Sequence, residues 1–461
     1  MSLMMYGLMR GAGAAAPAGG GYTGNELLTL NAALDGTAGY RYWNSSTAYA
    51  GAFRVDAEPG GTGDMHDAFA PMAYNPTNDS VFIAGWYTQR TIAEFDIPAL
   101  VSATAYADIS TLNIGAALQT LTSFTGAGTG ETVEGMIAGL FVGASNRMLV
   151  TTFEHYAQDA SYKTIYRVIR DCSTLSTSAV DGYFTTDYDS AAGGWISAVP
   201  TAMQTDLDGT HITGFSNSGS RRSSTQSLSM GPAAYTADMT SLMANSSTAA
   251  STVLAGAQNV ICRYRLDPEG LIPDSELYNW DGVSAILTSN PLWTASADLS
   301  YGEIVPGTRT YMVWGSMCMV DSGGWYGNNS GTGANARPPD VAYDPSFDNQ
   351  GPHPRDPDDW HYHVWLYDVD DLISVQAGTT PASWAARYAA EFGTARALQP
   401  HELRPYEWRK FTMPFDTGAG EKFIGGGARK SSSNQVMLSL SRKDSTQGVD
   451  APVIVVFNMG W

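Results

Sequence analysis

Charged side chains are scarce in this chain, and basic ones most of all. Lys and Arg number 25 and Asp and Glu number 45 among 461 residues, which gives a formal net charge of −20. Nucleic-acid binding needs basic side chains that neutralise phosphates, and anionic membranes attract the same residues. We therefore predict no nucleic-acid partner. No apolar run approaches the ~20 residues of a membrane-spanning helix, so we also predict no membrane insertion.

Cysteine is almost absent, and the motifs of several enzyme classes are missing. Cys172, Cys262 and Cys318 allow at most one disulfide within the chain. None lies in a zinc-binding spacing, so we interpret them as buried thiols. The sequence has no G-x-S-x-G motif, no P-loop and no complete dinucleotide fingerprint. The enzyme classes that carry those motifs are therefore not indicated.

Glycine and aromatic residues are abundant instead, with 49 Gly, 24 Tyr and 12 Trp. Combined with the low charge, this composition is typical of an all-β protein with many turns. The strand pattern supports that class. One strand reaches Tyr74, a polar turn follows, and two more strands are predicted at 80–86 and 91–97.

Units of three short apolar strands recur five times along the chain. Recurring small sheets predict a five-bladed β-propeller, and the Gly and Ala residues of "AGLF" and "IGGGA" suit crowded innermost strands. A β-sandwich with extra elements is the alternative. The blades are expected near residues 69–130, 135–190, 195–295, 301–372 and 422–461.

The last unit ends after its third strand and would leave an open edge. We predict that a segment near 51–56 closes it, so that residues 25–461 form the propeller and residues 1–24 an N-terminal arm. The third strand of the third blade is predicted at 259–267, after an insertion at 216–258.

Large loop insertions are predicted on one face of the propeller. They comprise 216–258, 317–360 and 373–421, and a helix is expected within 381–393 of the last one. Loops on a rigid scaffold commonly carry binding function.

Several motifs resemble a group of bacterial and viral β-propeller proteins. They are "YMVWGSM", "HYHVWLYDVDDLISVQAG", "LRPYEWRKFTMPF", "KFIGGGARKSSSNQVMLSLS" and a final "PVIVVFNM". The group's usual "AYDP" turn is replaced by "GGARKSSSN" in the last blade. The resemblance implies the propeller fold, and it implies no particular activity.

The first residues, "MSLMMYGLMRGAGAAAPAGGGYTG", do not follow the order of a secretion signal. Such a signal places basic residues before its apolar stretch, whereas Arg10 comes after it. We expect these residues to remain as a docking arm that packs on another subunit or folds back on its own domain. The predicted docking side chains are Met1, Leu3, Met5, Tyr6 and Leu8.

Three carboxylates are candidates for catalysis at the mouth of the channel. Asp67, Glu134 and Glu303 are placed there because each is expected close to the start of an innermost strand. Glycosidases use two carboxylates at a defined separation. Acidic residues are also common at such positions in an acidic protein, so an ordinary structural role is the alternative.

Metal binding has weaker signals. His361 and His363 alternate on one predicted strand and point to the same face, which fits a metal site or ordinary polar residues. The acidic stretches at 187–194 and 356–360 offer oxygen ligands for calcium without matching an EF-hand loop. No cofactor is predicted, and calcium remains the alternative.

Aromatic residues cluster in or beside the insertions. Exposed Trp and Tyr rings stack on sugars or anchor protein interfaces, and they also form small cores within insertions. The candidate binding residues are Trp325, Tyr326, Trp360, Tyr362 and Trp408.

Two functions remain open on this sequence. The first is a non-enzymatic virion protein of a bacteriophage, located at the tail or capsid surface. Its arm would dock it to other virion proteins and its propeller would bind a receptor, such as a host-surface glycan. The second is an extracellular hydrolase or lyase that acts on polysaccharide with carboxylates at the propeller channel.

Overall fold

Five small antiparallel sheets are arranged as a five-bladed β-propeller, as the repeat predicts. The computed structural model describes residues 26–28, 40–42, 49–66, 68–86, 89–124, 135–154, 165–185, 194–214, 234–244, 252–253, 259–262, 298–318, 360–417 and 422–459. The predicted arm at 1–24 lies outside these residues, as do most of the insertions at 216–258 and 317–360.

The first three strands precede blade 1 in the chain. A two-stranded sheet pairs β1 (Glu26–Leu28) with β2 (Tyr40–Tyr42), and β3 (Tyr49–Val55) follows. Blade 1 and one short extra strand come next: β4 (Met72–Asn75), β5 (Ser80–Ala84), β6 (Thr91–Asp96), β7 (Ile114–Gly115) and β8 (Ala117–Ser123). Blade 1 has the order β4-β5-β6-β8.

Blades 2 and 3 follow in the chain. Their strands are β9 (Gly135–Val142), β10 (Met148–Glu154), β11 (Ile165–Ile169), β12 (Val180–Thr185), β13 (Ile196–Ala198), β14 (His211–Thr213), β15 (Ala234–Ala237), β16 (Thr252–Val253) and β17 (Asn259–Cys262). Blade 2 contains β9 to β12, with β16 added in parallel beside β12. Blade 3 has the order β13-β14-β15-β17.

Blades 4 and 5 complete the ring. Their strands are β18 (Asp298–Ile304), β19 (Thr310–Cys318), β20 (Trp360–Asp368), β21 (Glu407–Phe411), β22 (Ile424–Lys430), β23 (Gln435–Asp444) and β24 (Ala451–Asn458). Blade 5 takes its fourth strand from β3, which pairs antiparallel with β24, and β7 adds in parallel beside β3. The strand that closes the ring is therefore β3, which overlaps the segment 51–56 that the sequence analysis predicts for this role.

The innermost strands β4, β9, β13, β18 and β22 each contact the innermost strand of both neighbouring blades, so the ring is closed. Because these five strands run in the same direction, the ring has two distinct faces. We name them the start face, where the innermost strands begin, and the end face, where they finish. Among the described residues, no helix reaches the length and hydropathy that crossing a membrane requires.

Three of the innermost strands share a β-bulge near the start face. The register with the second strand shifts by one residue in blades 2, 4 and 5. The extra residue is Ala138, Ser300 or Gly425. A bulge bends a strand and increases its local twist. Blades 2, 4 and 5 thus share the same backbone irregularity, although the residue at the bulge is different in each.

Glycines on the innermost strands allow the backbones of neighbouring blades to touch. A Cβ atom built on Gly425 would lie 1.3 Å from the carbonyl oxygen of Phe69, and one on Gly139 would lie 1.7 Å from that of Gly194. Both carbonyls belong to the chain that leads into the next blade. No side chain fits at these contacts, and the expectation that "AGLF" and "IGGGA" form crowded innermost strands is confirmed.

Hydroxyl groups fasten the same contacts. Thr151 on β10 donates to the carbonyl of Gly194 at 2.7 Å, and Ser439 on β23 donates to the carbonyl of Ala70 at 2.7 Å. Each bond joins the second strand of one blade to the start of the next. These buried bonds satisfy carbonyl groups that no sheet ladder would reach.

Two details of the predicted arrangement are wrong. The third strand of blade 3 is β15, and the segment predicted at 259–267 supplies the outer strand β17 at Asn259–Cys262. The excursion at 373–421 connects β20 to the unpredicted fourth strand β21, so its helices lie at the end face. The insertion predicted at 216–258 is divided by β15, so residues 238–244 also lie at the end face. These predictions were wrong because they assigned three strands to each blade and left out the outer, fourth strand.

Four short α-helices accompany the sheets in the part of the chain that the structure describes. They are α1 (Met239–Met243), α2 (Val369–Ala377), α3 (Trp384–Arg387) and α4 (Ala389–Phe392). The helix predicted within 381–393 is therefore present as the pair α3 and α4. Asp368 caps α2 by accepting from the amide of Asp370, and Gly378 ends it at a φ of 62°.

Buried ion pairs attach these helices to blade 4. Arg309, in the turn between β18 and β19, bonds Asp368 at 2.8 Å, and Arg387 on α3 bonds the same carboxylate at 2.7 Å. Arg387 also bonds Asp371 at 2.6 Å, and the hydroxyl of Tyr388 donates to Asp371 at 2.8 Å. Burial raises the pKa of Asp371, and Arg387 opposes that shift.

A histidine lies between blades 2 and 3. The His211 ring packs edge-on against Phe141 at 4.7 Å, and its Nδ1 lies 2.9 Å from the Thr210 hydroxyl. Burial lowers the pKa of His211 from 6.5 to about 4. The unfolded chain therefore binds more protons than the folded chain between these two pH values.

We expect acid to destabilise the protein partly through His211. Stability from this residue is fully present above pH 6.5 and falls as the pH drops towards 4, by about 3 kcal/mol in all. The measurement is the urea midpoint at pH 7 and pH 4.5 for His211→Gln, which should lose less stability than the parent over this interval. His66→Gln, at a partly exposed site, is the control for the loss of a histidine elsewhere in the chain. Equal losses in His211→Gln and the parent would contradict the assignment.

A second prediction concerns the contact of Gly425 with Phe69. Gly425→Ala should lower the free energy of unfolding by about 3 kcal/mol, because the added methyl group collides with a backbone carbonyl. Gly307→Ala is the control, since nothing lies within 4 Å of its Cβ position and only its positive φ of 73° opposes the change. That strain costs about 1 kcal/mol. Urea unfolding of both variants decides, and similar losses would refute the close approach.

Candidate functional site

Glu303 is the only predicted catalytic carboxylate within the described residues, and its position differs from the prediction. Asp67 and Glu134 lie outside the described residues. The sequence analysis places Glu303 at a strand start, but β18 begins at Asp298 and Glu303 is its second-to-last residue. Glu303 therefore lies towards the end face, because the innermost strand begins earlier than the apolar pattern indicates.

An arginine of the neighbouring blade holds Glu303. Arg429 on β22 donates from Nε to Oε2 at 2.6 Å and from Nη2 to Oε1 at 2.7 Å. The remaining guanidinium nitrogen, Nη1, donates to Asn434 at 2.7 Å, and the Tyr301 hydroxyl donates to Glu303 at 3.3 Å. The exposed fractions of the paired side chains are 5% for Glu303 and 12% for Arg429.

This geometry describes a bridge between blades 4 and 5. A general acid must be free to pass its proton to a substrate, whereas both oxygens of Glu303 accept bonds from one guanidinium. The nearby charges favour the charged form of Arg429, because Glu303 raises the pKa of Arg429 against the effect of burial. The arrangement is that of a structural ion pair.

The histidine pair is only partly described. The side chain of His361 lies outside the described residues, and His363 is fully buried with its ring stacked on Trp365 at 5.4 Å. Within the described part of the chain, no group of three or more His, Cys, Asp or Glu residues is placed to hold a metal ion. Of the two acidic stretches named as calcium candidates, residues 187–193 and 356–359 fall outside that part.

The thiol interpretation is confirmed at two positions. Cys172 and Cys262 are buried thiols that take part in no disulfide, and burial raises the pKa of Cys172 to about 12. A thiol with this pKa stays protonated and is a poor nucleophile at neutral pH.

One predicted aromatic binding residue is placed clearly, and it is buried. Tyr362 has no exposed surface and packs against Phe411 with ring centroids 5.9 Å apart. The expectation that its ring stacks on a ligand at the surface is therefore wrong, because the ring fills the space between neighbouring strands. Trp325 and Tyr326 lie outside the described residues, as do the side chains of Trp360 and Trp408.

Other aromatic residues beside the insertions form a small core at the end face. Trp384, Tyr388 and Phe392 pack together at centroid distances of 5.8 to 6.5 Å. Trp384 is 5% exposed. In this segment the interpretation that the aromatic residues form a local core is confirmed.

Sequence reasoning missed Arg429. Arg429 and its neighbour Lys430 were visible in "GGARK" but carry no signal of their partners, since Glu303 is 126 residues away along the chain. Comparison with known proteins adds nothing here, because no protein-family model and no curated protein matches the chain. The resemblance to a group of bacterial and viral propellers stays a prediction.

We expect the Glu303–Arg429 pair to matter for stability. Glu303→Gln and Arg429→Met should each lower the free energy of unfolding by about 3 kcal/mol, because each leaves a buried charge without its partner. The double variant should lose less than the sum, as measured by chemical denaturation in a double-mutant cycle.

The matched control is Asp79→Asn. Asp79 pairs with Lys430, the residue after Arg429, at 2.6 Å, but the Asp79 side chain is 60% exposed. Loss of an exposed pair should cost less than about 1 kcal/mol. Additive losses in the double variant of Glu303 and Arg429 would show that the two side chains do not act as a pair.

Proposed function

We propose that this protein is a non-enzymatic structural and binding component of a bacteriophage particle, at the tail or capsid surface. Residues 1–24 dock it to other virion proteins, and the start face of the propeller binds a receptor such as a host-surface glycan. The proposal extends beyond the fold, which supports a rigid scaffold for binding loops.

The observation that carries the non-enzymatic part is the pairing of Glu303. This carboxylate, the one catalytic candidate among the described residues, is engaged by Arg429 at 2.6 and 2.7 Å and is 5% exposed. The polysaccharide-cleaving alternative needs two free carboxylates. The acidic composition, the missing catalytic motifs and the Gly-rich first residues are the further support for a particle protein.

The test compares the native size of the full chain with that of a variant lacking residues 1–24. We expect the full chain to enter a large assembly when produced with the other particle proteins, and the shortened chain to remain a monodisperse monomer. Light scattering coupled to gel filtration measures both. The control replaces residues 1–24 with a Gly/Ser segment of equal length, so that loss of assembly is assigned to the side chains and not to length.

If the full chain remained a monomer under these conditions, the virion proposal would be contradicted. The same preparations should then be assayed on polysaccharides with Asp67→Asn and Glu134→Gln. Cleavage that these substitutions abolish would establish the enzymatic alternative.

A further inference from the structure

Three carboxylates meet two guanidinium groups where α2 and α3 pack on blade 4. Asp368, Asp370 and Asp371 supply the negative charges, and Arg309 and Arg387 supply the positive ones. Each of the five groups lies within 3.2 Å of an opposite charge in this set, which we name the α2 cluster. With every group ionised, two positive charges face three negative ones, so the α2 cluster has one negative charge in excess.

Both arginines bond Asp368, whose side chain is 2% exposed. Arg309 donates from Nε at 2.8 Å and from Nη2 at 3.1 Å, and Arg387 donates from Nη2 at 2.7 Å. The backbone amide of Asp370 adds a fourth bond at 3.1 Å. Because hydrogen bonds of this kind favour the charged form of a carboxyl group, the surroundings of Asp368 are those of an ionised carboxylate.

Asp371 is enclosed in a similar way, and its side chain is 1% exposed. It accepts from Nη1 of Arg387 at 2.6 Å and from the hydroxyls of Ser383 and Tyr388 at 2.5 and 2.8 Å. Burial raises the pKa of Asp371, and these three donors oppose that shift. Two of the three carboxylates thus have the donors that a negative charge requires.

Asp370 receives the least support of the three. Its Oδ2 lies 3.2 Å from Nη1 of Arg309, and the carboxylate has no other partner in the part of the chain that the structure describes. Burial raises the pKa of Asp370 to about 6, and the charges of Asp368 and Asp371 raise it further, while Arg309 and Arg387 act against them. The excess negative charge of the α2 cluster therefore falls on Asp370.

The charged groups that face this carboxylate come from three parts of the chain. Asp368 and Asp371 lie at the start of α2, Arg309 lies in the turn between β18 and β19, and Arg387 lies on α3. The strand β17 also packs against α2, and its titratable side chain is the buried thiol of Cys262. The state of the carboxylate is thus set by the balance within the α2 cluster.

We propose that the α2 cluster is a pH-sensitive attachment, which takes up one proton at Asp370 in mildly acidic solution and then holds α2 and α3 more firmly on blade 4. The proton removes the excess charge, and the two remaining carboxylates match the two arginines. A carboxyl group that binds its proton more tightly in the folded chain adds stability as the pH falls. The attachment is therefore weakest above pH 6 and strengthens as the pH falls from 6 towards 4.

The direction of this effect is opposite to that of His211, which destabilises the whole protein over nearly the same pH interval. A local measurement is therefore needed. The first experiment follows the side-chain carboxyl carbons of the full chain, labelled with ¹³C-aspartate, by NMR between pH 3 and 8. The Asp370 resonance, assigned by its loss in Asp370→Asn, should titrate near pH 6. A midpoint near pH 4, or a midpoint near pH 6 that belongs to Asp371, would overturn the proposal.

The second experiment measures amide hydrogen exchange of residues 369–393 by mass spectrometry at pH 5.0 and 7.5, corrected for the intrinsic effect of pH on exchange. Protection should be about three- to tenfold greater at pH 5.0. Tenfold is the limit for a carboxyl pKa raised from 3.8 to about 6, and solvent screening of a side chain that is 30% exposed reduces the effect.

Two variants separate the proton at Asp370 from other effects of pH. Asp370→Asn removes the excess charge permanently, so it should show the higher protection at both pH values and melt no lower than the parent at pH 7.5. Asp108→Asn is the matched control, because Asp108 is an exposed aspartate in the first turn of another helix, and it should keep the difference seen in the parent. Equal protection of the parent at both pH values, or a difference that persists in Asp370→Asn, would refute the proposed attachment.

Discussion

The approach of neighbouring backbones near the axis is the constraint on which the rest of the ring depends. Five innermost strands surround one channel, and the chain that leads into two of them meets a glycine and a hydroxyl of the preceding blade. Gly425 and Gly139 leave room for the carbonyls of Phe69 and Gly194, and the hydroxyls of Ser439 and Thr151 bond the same chain segments. Any side chain at such a glycine would push a whole blade outward, because protein interiors are close-packed.

This crowding also determines what charged groups do near the axis. Glu303 can be buried on an innermost strand only because Arg429 from the next blade approaches closely enough for two short hydrogen bonds. A buried ion pair contributes little net stability but makes the loss of either partner costly. The pair therefore specifies which blades are neighbours, and it removes a carboxylate from the chemistry that an open channel would permit.

The local sequence pattern predicted the five blades well, but it predicted poorly which distant residues contact each other. Apolar alternation and turn residues depend on near neighbours, so β5 and β6 lie where the sequence indicates them. The short β15 has too few residues to stand out beside a long insertion, and it went unpredicted. Burial of Tyr362 and the partner of Glu303 depend on residues in other strands or blades, so no periodicity along the chain reveals them. The predicted docking residues lie outside the described residues, and their role stays a prediction.

The junction of blades 4 and 5 differs from other junctions in the chemistry that joins the blades. Hydroxyl-to-carbonyl bonds fasten blade 2 to 3, blade 3 to 4 through Ser197 and Gly302, and blade 5 to 1. Between blades 4 and 5 an ion pair takes this place, formed by Glu303 and Arg429 towards the end face. A hydroxyl-to-carbonyl bond leaves no charge behind when its donor is removed, whereas loss of either member of the ion pair leaves a buried charge without its partner. In a closed ring of similar blades, the junction that is joined by an ion pair is therefore the one most sensitive to the loss of a single side chain.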